Sequence, residues 1–290
     1  MYNNNAFRIA ISPVLSNRKI GPIRTHLYNY VFAKNTNSIV ILRCDDTNSK
    51  EHKKEIFLEL HKFFEEDLSM IFDYDPYNVK IDCISLFQSE RGLIYNKYKE
   101  RLIEEGIVFL DKNTGVTLFN IELFIKQYTN KIVVEDLNSG EIIFDLINYI
   151  NNNSKYFQIF RSDGSCLYNF ATTIDDSELS VTHIVRGRDK IPLLQFQEII
   201  RITLGFKKKK YLHTPLMIVD KKLTSYFEYF LSLGISREAL ISYIISSGYG
   251  NPDSIYRNIN QFITEFDYRK VHVKSSKFDF NKLMSINKKF

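Results

Sequence analysis

Apolar and polar positions along the chain sort into short strands alternating with amphipathic helices. Phe7 to Ser12 (FRIAIS) and Ser38 to Arg43 (SIVILR) are apolar-rich runs that predict buried strands. Between them, PIRTHLYNYVFAK sets Ile23, Leu27, Tyr30 and Val31 along one helical face, with Pro22 suited to the first turn. Strand, loop, helix, strand is a βαβ unit, which implies a parallel sheet that binds ligands beyond the carboxyl ends of its strands. The loop Pro13 to Gly21 then lies where a nucleotide phosphate would meet a helix N-terminus.

Glu51 to Asp67 reads as a second amphipathic helix that buries Ile56, Leu58, Leu60, Phe63 and Phe64. Gln88 to Gly106 reads as a third, closed by its glycine. From Ile107 to Asn153 the pattern becomes short and irregular, with turn signals at Asn113 to Gly115 and Asn138 to Gly140, which predicts an inserted α+β subdomain. The βαβ organisation returns at Phe157 to Phe160, and a helix is expected over Pro192 to Leu204. After Gly234 the tail reads as helical, with Ser236 as an N-cap.

Composition narrows the class. The chain has 290 residues, 44% of them hydrophobic, and a mean hydropathy of −0.22, which suits a globular protein with a sizeable core. No apolar run of roughly 18 residues suggests a membrane span, and MYNNNAFRIAIS lacks the pattern of a secretory leader, so a cytoplasmic location is expected. Cys44, Cys83 and Cys166 are too widely spaced for a disulfide framework or paired zinc ligands. The net charge of +5 permits a polyanion partner without demanding one, and the basic run Lys207 to Lys210 reads as a solvated loop or as part of such a contact.

The densest chemistry lies in YNFATTIDDSELSVTHIVRGRD, Tyr168 to Asp189. Val181, His183 and Val185 alternate with Thr182 and Ile184, so a buried strand delivers Arg186 to its exposed end. An arginine there is either a fork for a carboxylate or phosphate, or an ion-paired strand end. Asp175 and Asp176 read as anchors of the strand-loop junction rather than as a metal site, and His26, His61 and His213 as packing residues.

Several motifs in order resemble the catalytic half of the glutamyl-tRNA synthetases. RIAISP (Arg8 to Pro13) is similar to the family's RFAPSP, IGPIRT (Ile20 to Thr25) to IGGART, and ILRCDDTN (Ile41 to Asn48) to ILRIEDTD. QSER (Gln88 to Arg91) stands unchanged, and RSDGSCLYNFATTIDD and VTHIVRGRD resemble RSDGTPTYNFAVVVDD and ITHVIRGED. LHTPLMIVDKKL (Leu212 to Leu223) is similar to the segment carrying the KMSKS-type loop.

The resemblance implies an α/β fold: a Rossmann-type catalytic domain over 1–106 and 154–233, an acceptor-stem insert over 107–153, and a helical stem-contact segment over 234–290. It implies no anticodon-binding part, a size close to the glutamyl-queuosine tRNA synthetases and, with no cysteine in the insert, no zinc. It assigns Arg8, Ser12, Asp45, Tyr168, Thr172 and Arg186 to a pocket for glutamate or a close analogue, with Asp45 facing the α-ammonium group. Gly21, Arg24, Lys221 and Leu223 would meet the nucleotide, with ATP and Mg²⁺ as the expected co-substrates and the tRNA acceptor stem as a possible partner.

The parts that carry out adenylation depart from the family. VLSNRKIGP (Val14 to Pro22) replaces TGYLHIGG and puts Lys19 at the histidine position, while KLTSY (Lys222 to Tyr226) replaces KLSKR and puts Ser225 at the second lysine. Lys19 and Lys222 are the remaining candidates for catalysis, and Arg188 replaces a glutamate. Losing one such donor costs about a hundredfold or more in rate. Three readings stay open: a ligase that activates glutamate and transfers it to tRNA or another acceptor; an inactive paralogue that binds glutamate, nucleotide, tRNA or a protein; and a repurposed enzyme that uses glutamyl-tRNA.

Overall fold

The structure, a computed structural model, describes residues 5–47, 54–78, 81, 84–220, 223–251 and 253–290. The first unit is β1 (Ala6–Ile11), α1 (Ile20–Asn35) and β2 (Ile39–Cys44), as the apolar pattern predicts. α2 (Lys54–Lys62) runs on through a π-helical turn, Phe63–Asp67, and α3 (Gly92–Glu104) follows a short 3-10 turn at Gln88–Glu90. The expected start of the second helix at Glu51, and Cys83, lie outside the described residues. Gly106 ends α3 with φ +73°, where its N–H and that of Ile107 reach back to Ile103 and Leu102.

The middle of the chain holds β3 (Val108–Leu110), β4 (Thr117–Asn120), α4 (Ile121–Gln127), β5 (Lys131–Asp136), β6 (Gly140–Asp145), α5 (Leu146–Asn152) and β7 (Tyr156–Phe160). Then come α6 (Tyr168–Glu178), β8 (His183–Gly187), α7 (Ile191–Thr203), β9 (Lys210–Thr214) and β10 (Met217–Ile218). The C-terminal part adds α8 (Phe227–Ser232), α9 (Arg237–Ser246), α10 (Ile259–Glu265), β11 (Ser276–Lys277) and α11 (Phe280–Asn287). Ser236 caps α9, its hydroxyl accepting from the Ala239 N–H at 3.2 Å.

A six-stranded sheet in the order β2-β1-β8-β9-β5-β6 forms the centre, parallel except for β6. One apolar core lies between this sheet, α1 and the C-terminal helices; a second joins the other face to α3, α6, α7 and the middle segment. α1 is buried around most of its circumference, Tyr28 and Phe32 as well as the predicted Ile23, Leu27, Tyr30 and Val31, because α9 and α10 cover its outer side.

The middle segment does not divide from the sheet where the sequence reading cut it. β5 and β6 extend the central sheet, while β3 and β4 form a separate three-stranded sheet with β7. The boundary drawn after residue 153 therefore runs through that small sheet, and the strand at Phe157 to Phe160 belongs there rather than to the βαβ core. These strand partners are far apart in sequence, so local periodicity carries no record of them. Of the basic run, Lys207, Lys208 and Lys210 are exposed, whereas the Lys209 ammonium donates to the Asp176 carbonyl at 3.0 Å.

Candidate acidic-ligand site at the carboxyl ends of β1 and β8

β1 leads through α1 to β2 on one side and pairs with β8 on the other, so the sheet order reverses there and leaves a crevice at the strand ends. A cavity of about 650 Å³ opens at this point. Arg8, Ser12, Asp45, Tyr168, Arg186 and Gly21 all line it. β1, the end of β2, the start of α6 and β8 thus bring together residues that lie up to 178 positions apart.

Beneath the cavity runs a chain of ion pairs. Arg43 and Asp45, two residues apart and on one side of the strand, are joined at 2.7 and 3.2 Å. Arg43 also reaches Asp176 at 2.7 Å, and Arg8 meets the same carboxylate at 3.2 and 3.3 Å. Burial alone would raise the Asp176 carboxyl, but the Arg8 and Arg43 guanidinium groups outweigh it and hold it below the usual carboxylate range. Its neighbour Asp175 faces the other way and accepts from Gln88, Arg91 and Tyr95 at 2.8, 2.6 and 2.8 Å. The two aspartates thus tie α6 to β1 and β2 on one side and to the start of α3 on the other, as anchors on a helix and not at the expected strand-loop junction.

Arg8 and Asp45 therefore each carry a partner of opposite charge, whereas Arg186 meets neutral groups. Its Nε–H donates to His213 Nε2 at 3.2 Å and its Nη1 to Gln197 Oε1 at 2.8 Å. Nη2 is buried with no hydrogen-bond partner among the described residues. A buried cation without a counter-ion costs several kcal/mol, which an anionic ligand would offset.

Three assigned residues lie elsewhere. Thr172 is not on the cavity: its hydroxyl lies below, donating to Asp45 at 3.4 Å and accepting from Arg43 at 3.2 Å. A threonine is too short to reach past those partners. Arg24 is fully buried and turned away, its guanidinium donating to Pro215 O at 2.5 Å, Ser276 Oγ at 2.8 Å and Ser247 Oγ at 3.3 Å. This corrects its assignment to the nucleotide, since a guanidinium held by these three groups cannot also face the crevice. Leu223 does not line the cavity either.

Lys19 precedes α1, and its ammonium stands over the Tyr226 ring at 5.2 Å rather than on the cavity wall. The Ile20 N–H donates to Ser225 O at 2.9 Å, so the two altered motifs are joined through main chain. Lys221 and Lys222 lie outside the described residues. Arg188 donates to Ser139 Oγ at 2.9 Å and does not face the cavity.

Sequence reasoning missed several wall residues. Asn29, on α1, donates to Arg8 O at 2.8 Å and Val185 O at 3.4 Å, fixing β1 against β8. Arg161, from the RSDG motif, adds a cation to the wall, with Ser165 Oγ at 3.0 Å. His26, expected only to pack, also faces the cavity; burial first and Arg8 second push it down to about 4, so it is a neutral imidazole at pH 7. Its position on α1, one turn from Asn29, is the only signal the sequence offered. Among the described residues no group of His, Cys, Asp and Glu is arranged to hold a metal ion.

Comparison with known proteins places this geometry. A family model for tRNA synthetases class I (E and Q), catalytic domain, matches residues 8–122 and 124–285. The chain is 30% identical to glutamate–tRNA ligase 1 of Petrotoga mobilis, over 97% of this chain and 63% of that protein. It is 28% identical to glutamate–tRNA ligase 2 of Thermosipho melanesiensis, over 92% of this chain and 61% of that protein. The chain thus spans a little over three-fifths of these relatives. In fold it is similar to a glutamate tRNA ligase from Elizabethkingia meningosepticum solved in complex with its amino acid, with a TM-score of 0.80 at 20% identity over 99% of this chain and 69% of the other. With nearly its whole length matched in order, the chain belongs to the class I tRNA synthetases for glutamate and glutamine, through their catalytic domain.

Proposed function

We propose that the cavity holds glutamate or a close analogue, and that the chain activates it with ATP and passes it to tRNA or another acceptor. The observation that carries this reading is the buried Arg186 guanidinium, which has no carboxylate partner among the described residues and lies on the same cavity as Arg8. A carboxylate of the ligand would complete it with a charge-assisted pair. Asp45, also on the wall, would meet an ammonium group, although Arg43 already holds it from below.

Activation would follow the chemistry of the family. A carboxylate oxygen attacks the α-phosphorus of ATP, the bond to the pyrophosphate leaving group breaks, and an acceptor hydroxyl then takes the acyl group and releases AMP. A cavity of about 650 Å³ has room for both reactants. Gly21 lines it in the first turn of α1, where a phosphate would meet the helix N-terminus. Mg²⁺ would arrive with the phosphates.

The test is amino-acid-dependent exchange of pyrophosphate into ATP, beside calorimetric titration with glutamate, aspartate and glutamine. Exchange driven by glutamate supports the ligase, and no binding of any of the three removes the whole reading. Binding without exchange supports a second reading, a paralogue that holds the acid without turnover. The observation favouring that reading is the pairing of Lys19 with Tyr226 and of Ile20 with Ser225, which keeps Lys19, one of the two candidate cations, off the cavity wall.

A further inference from the structure

Arg186 is held on two edges by groups that carry no charge, and the reason lies one residue further out. His213 is completely buried; Asp136 accepts from its Nδ1–H at 2.7 Å and from its main-chain N–H at 2.9 Å. With Nδ1 carrying the proton, Nε2 is left with a lone pair, which is what the Arg186 Nε–H requires. Gln197 is fixed in the same sense: its amide nitrogen donates to Asn169 Oδ1 at 3.2 Å, which turns its oxygen to Arg186.

The nearest acid on α7 does not disturb this. Glu198 is taken by Arg201 at 2.7 Å and by the Tyr211 hydroxyl at 3.0 Å. Arg186 instead lies over the Tyr211 ring at 5.4 Å, and that ring is stacked on His213. Asp136 comes from β5, in the middle segment, and reaches His213 because β5 pairs with β9 in the central sheet.

We propose that Asp136, acting through His213, and Gln197 are positioning residues that fix the Arg186 guanidinium with neutral acceptors, so that its charge is left uncompensated at the cavity Arg186 lines, for the carboxylate of an amino-acid ligand. Had either acceptor been a carboxylate, the ion pair would form inside the protein and a ligand carboxylate would have to displace it. The proposal rests on the acidic-ligand reading of the cavity and adds which residues make Arg186 selective for an anion over its neutral amide.

The full-length chain gives two independent readouts. Nitrogen-15 labelling of histidine reports the His213 tautomer with no ligand present: a proton on Nδ1 and a bare Nε2 at pH 7 are expected, and a proton on Nε2 overturns the proposal whatever the cavity binds. Titration with glutamate and glutamine then reads the effect on selectivity. His213→Asn keeps a donor for Asp136 but removes the acceptor for Arg186, and should weaken glutamate at least tenfold. His213→Gln can return an acceptor to Arg186 and should stay within about threefold of the native affinity.

Gln197→Glu places a carboxylate against Arg186 and should erase the preference for glutamate over glutamine. Equal losses in both His213 variants, tracking a fall in melting temperature, would reduce the residue to a packing role and overturn the proposal. Absence of glutamate binding by the native chain would sink the proposed function, while the tautomer measurement would still decide the role of Asp136 and His213.

Discussion

Arg8 and Arg186 reach the same cavity in different electrical surroundings, and substitution should separate them. Arg8→Met removes one of two cations from Asp176 and should lower folding stability by roughly 2–4 kcal/mol in urea titrations at pH 7. Arg186→Met removes a buried charge with no counter-ion and should leave stability unchanged or raised, while weakening glutamate by about a hundredfold or more. Loss of stability equal to that of Arg8→Met would show that Arg186 is ion-paired after all. A pH dependence follows from the histidines. His183, pressed on Phe7 at 4.6 Å between centroids, is pushed down to about 4 by burial first and Lys210 second, and His26 to about 4 by burial and Arg8. Above pH 6.5 both are neutral whether the chain is folded or not, so neither contributes a slope. Between pH 6.5 and 4 the unfolded chain takes up protons that the folded one refuses, so stability falls with pH, by up to about 3 kcal/mol for each. Denaturation at pH 7 and pH 4.5 should show this loss, and His183→Gln should make it smaller.

At the scale of elements, the join between the loop before α1 and the loop before α8 is the feature to probe. Ile20 N–H to Ser225 O, the Lys19 ammonium over Tyr226, and the ion pair of Arg18 with Glu228 hold the two together. Tyr226→Ala should raise the hydrogen-exchange rate of the Ile20 amide at least about tenfold with little change in global stability, because opening there is local. Unchanged protection would mean that Tyr226 does not hold the loops. The elements themselves were largely legible in the sequence: the apolar runs of β1 and β2 and the Ser236 cap of α9 carry their own local signals. What could not be read was pairing at a distance. Asp175 and Asp176 are adjacent letters, yet on α6 they point to different partners 80 or more residues away. Arg24 sits within a motif like the family's IGGART, and nothing in that string reveals that its guanidinium faces Ser247 and Ser276. Arg8 and Arg186 were legible as candidates for one cavity, while the neutral company of Arg186 depends on β5 joining β9, which no local pattern announces.

Across the whole molecule, Arg24 ties α1 to the segments around Pro215, Ser247 and Ser276 with no carboxylate partner among the described residues. Burial lowers its pKa, with Tyr28 and Tyr243 opposing the shift. Its space is closely bounded: a Cβ on Gly248 would stand 2.9 Å from Arg24 Nη1 and 3.1 Å from the Tyr28 hydroxyl. Gly248→Ala should therefore cost about 1–3 kcal/mol, since an arginine held by several acceptors cannot step aside freely. A melting temperature equal to that of the native chain would show that this contact yields.

The same guanidinium decides where the chain can be divided. A polypeptide stopped at Gly234 would keep every cavity residue named above, since none lies beyond Met217. It would nevertheless strip Arg24 of its acceptors at Ser247 and Ser276 and uncover Tyr28 and Phe32, whose rings rest on Tyr249 and Phe266. Such a fragment should collect in inclusion bodies. The cavity wall and the capacity to fold are written in different stretches, so the helices after residue 234 act as a keel for a crevice whose wall they do not line.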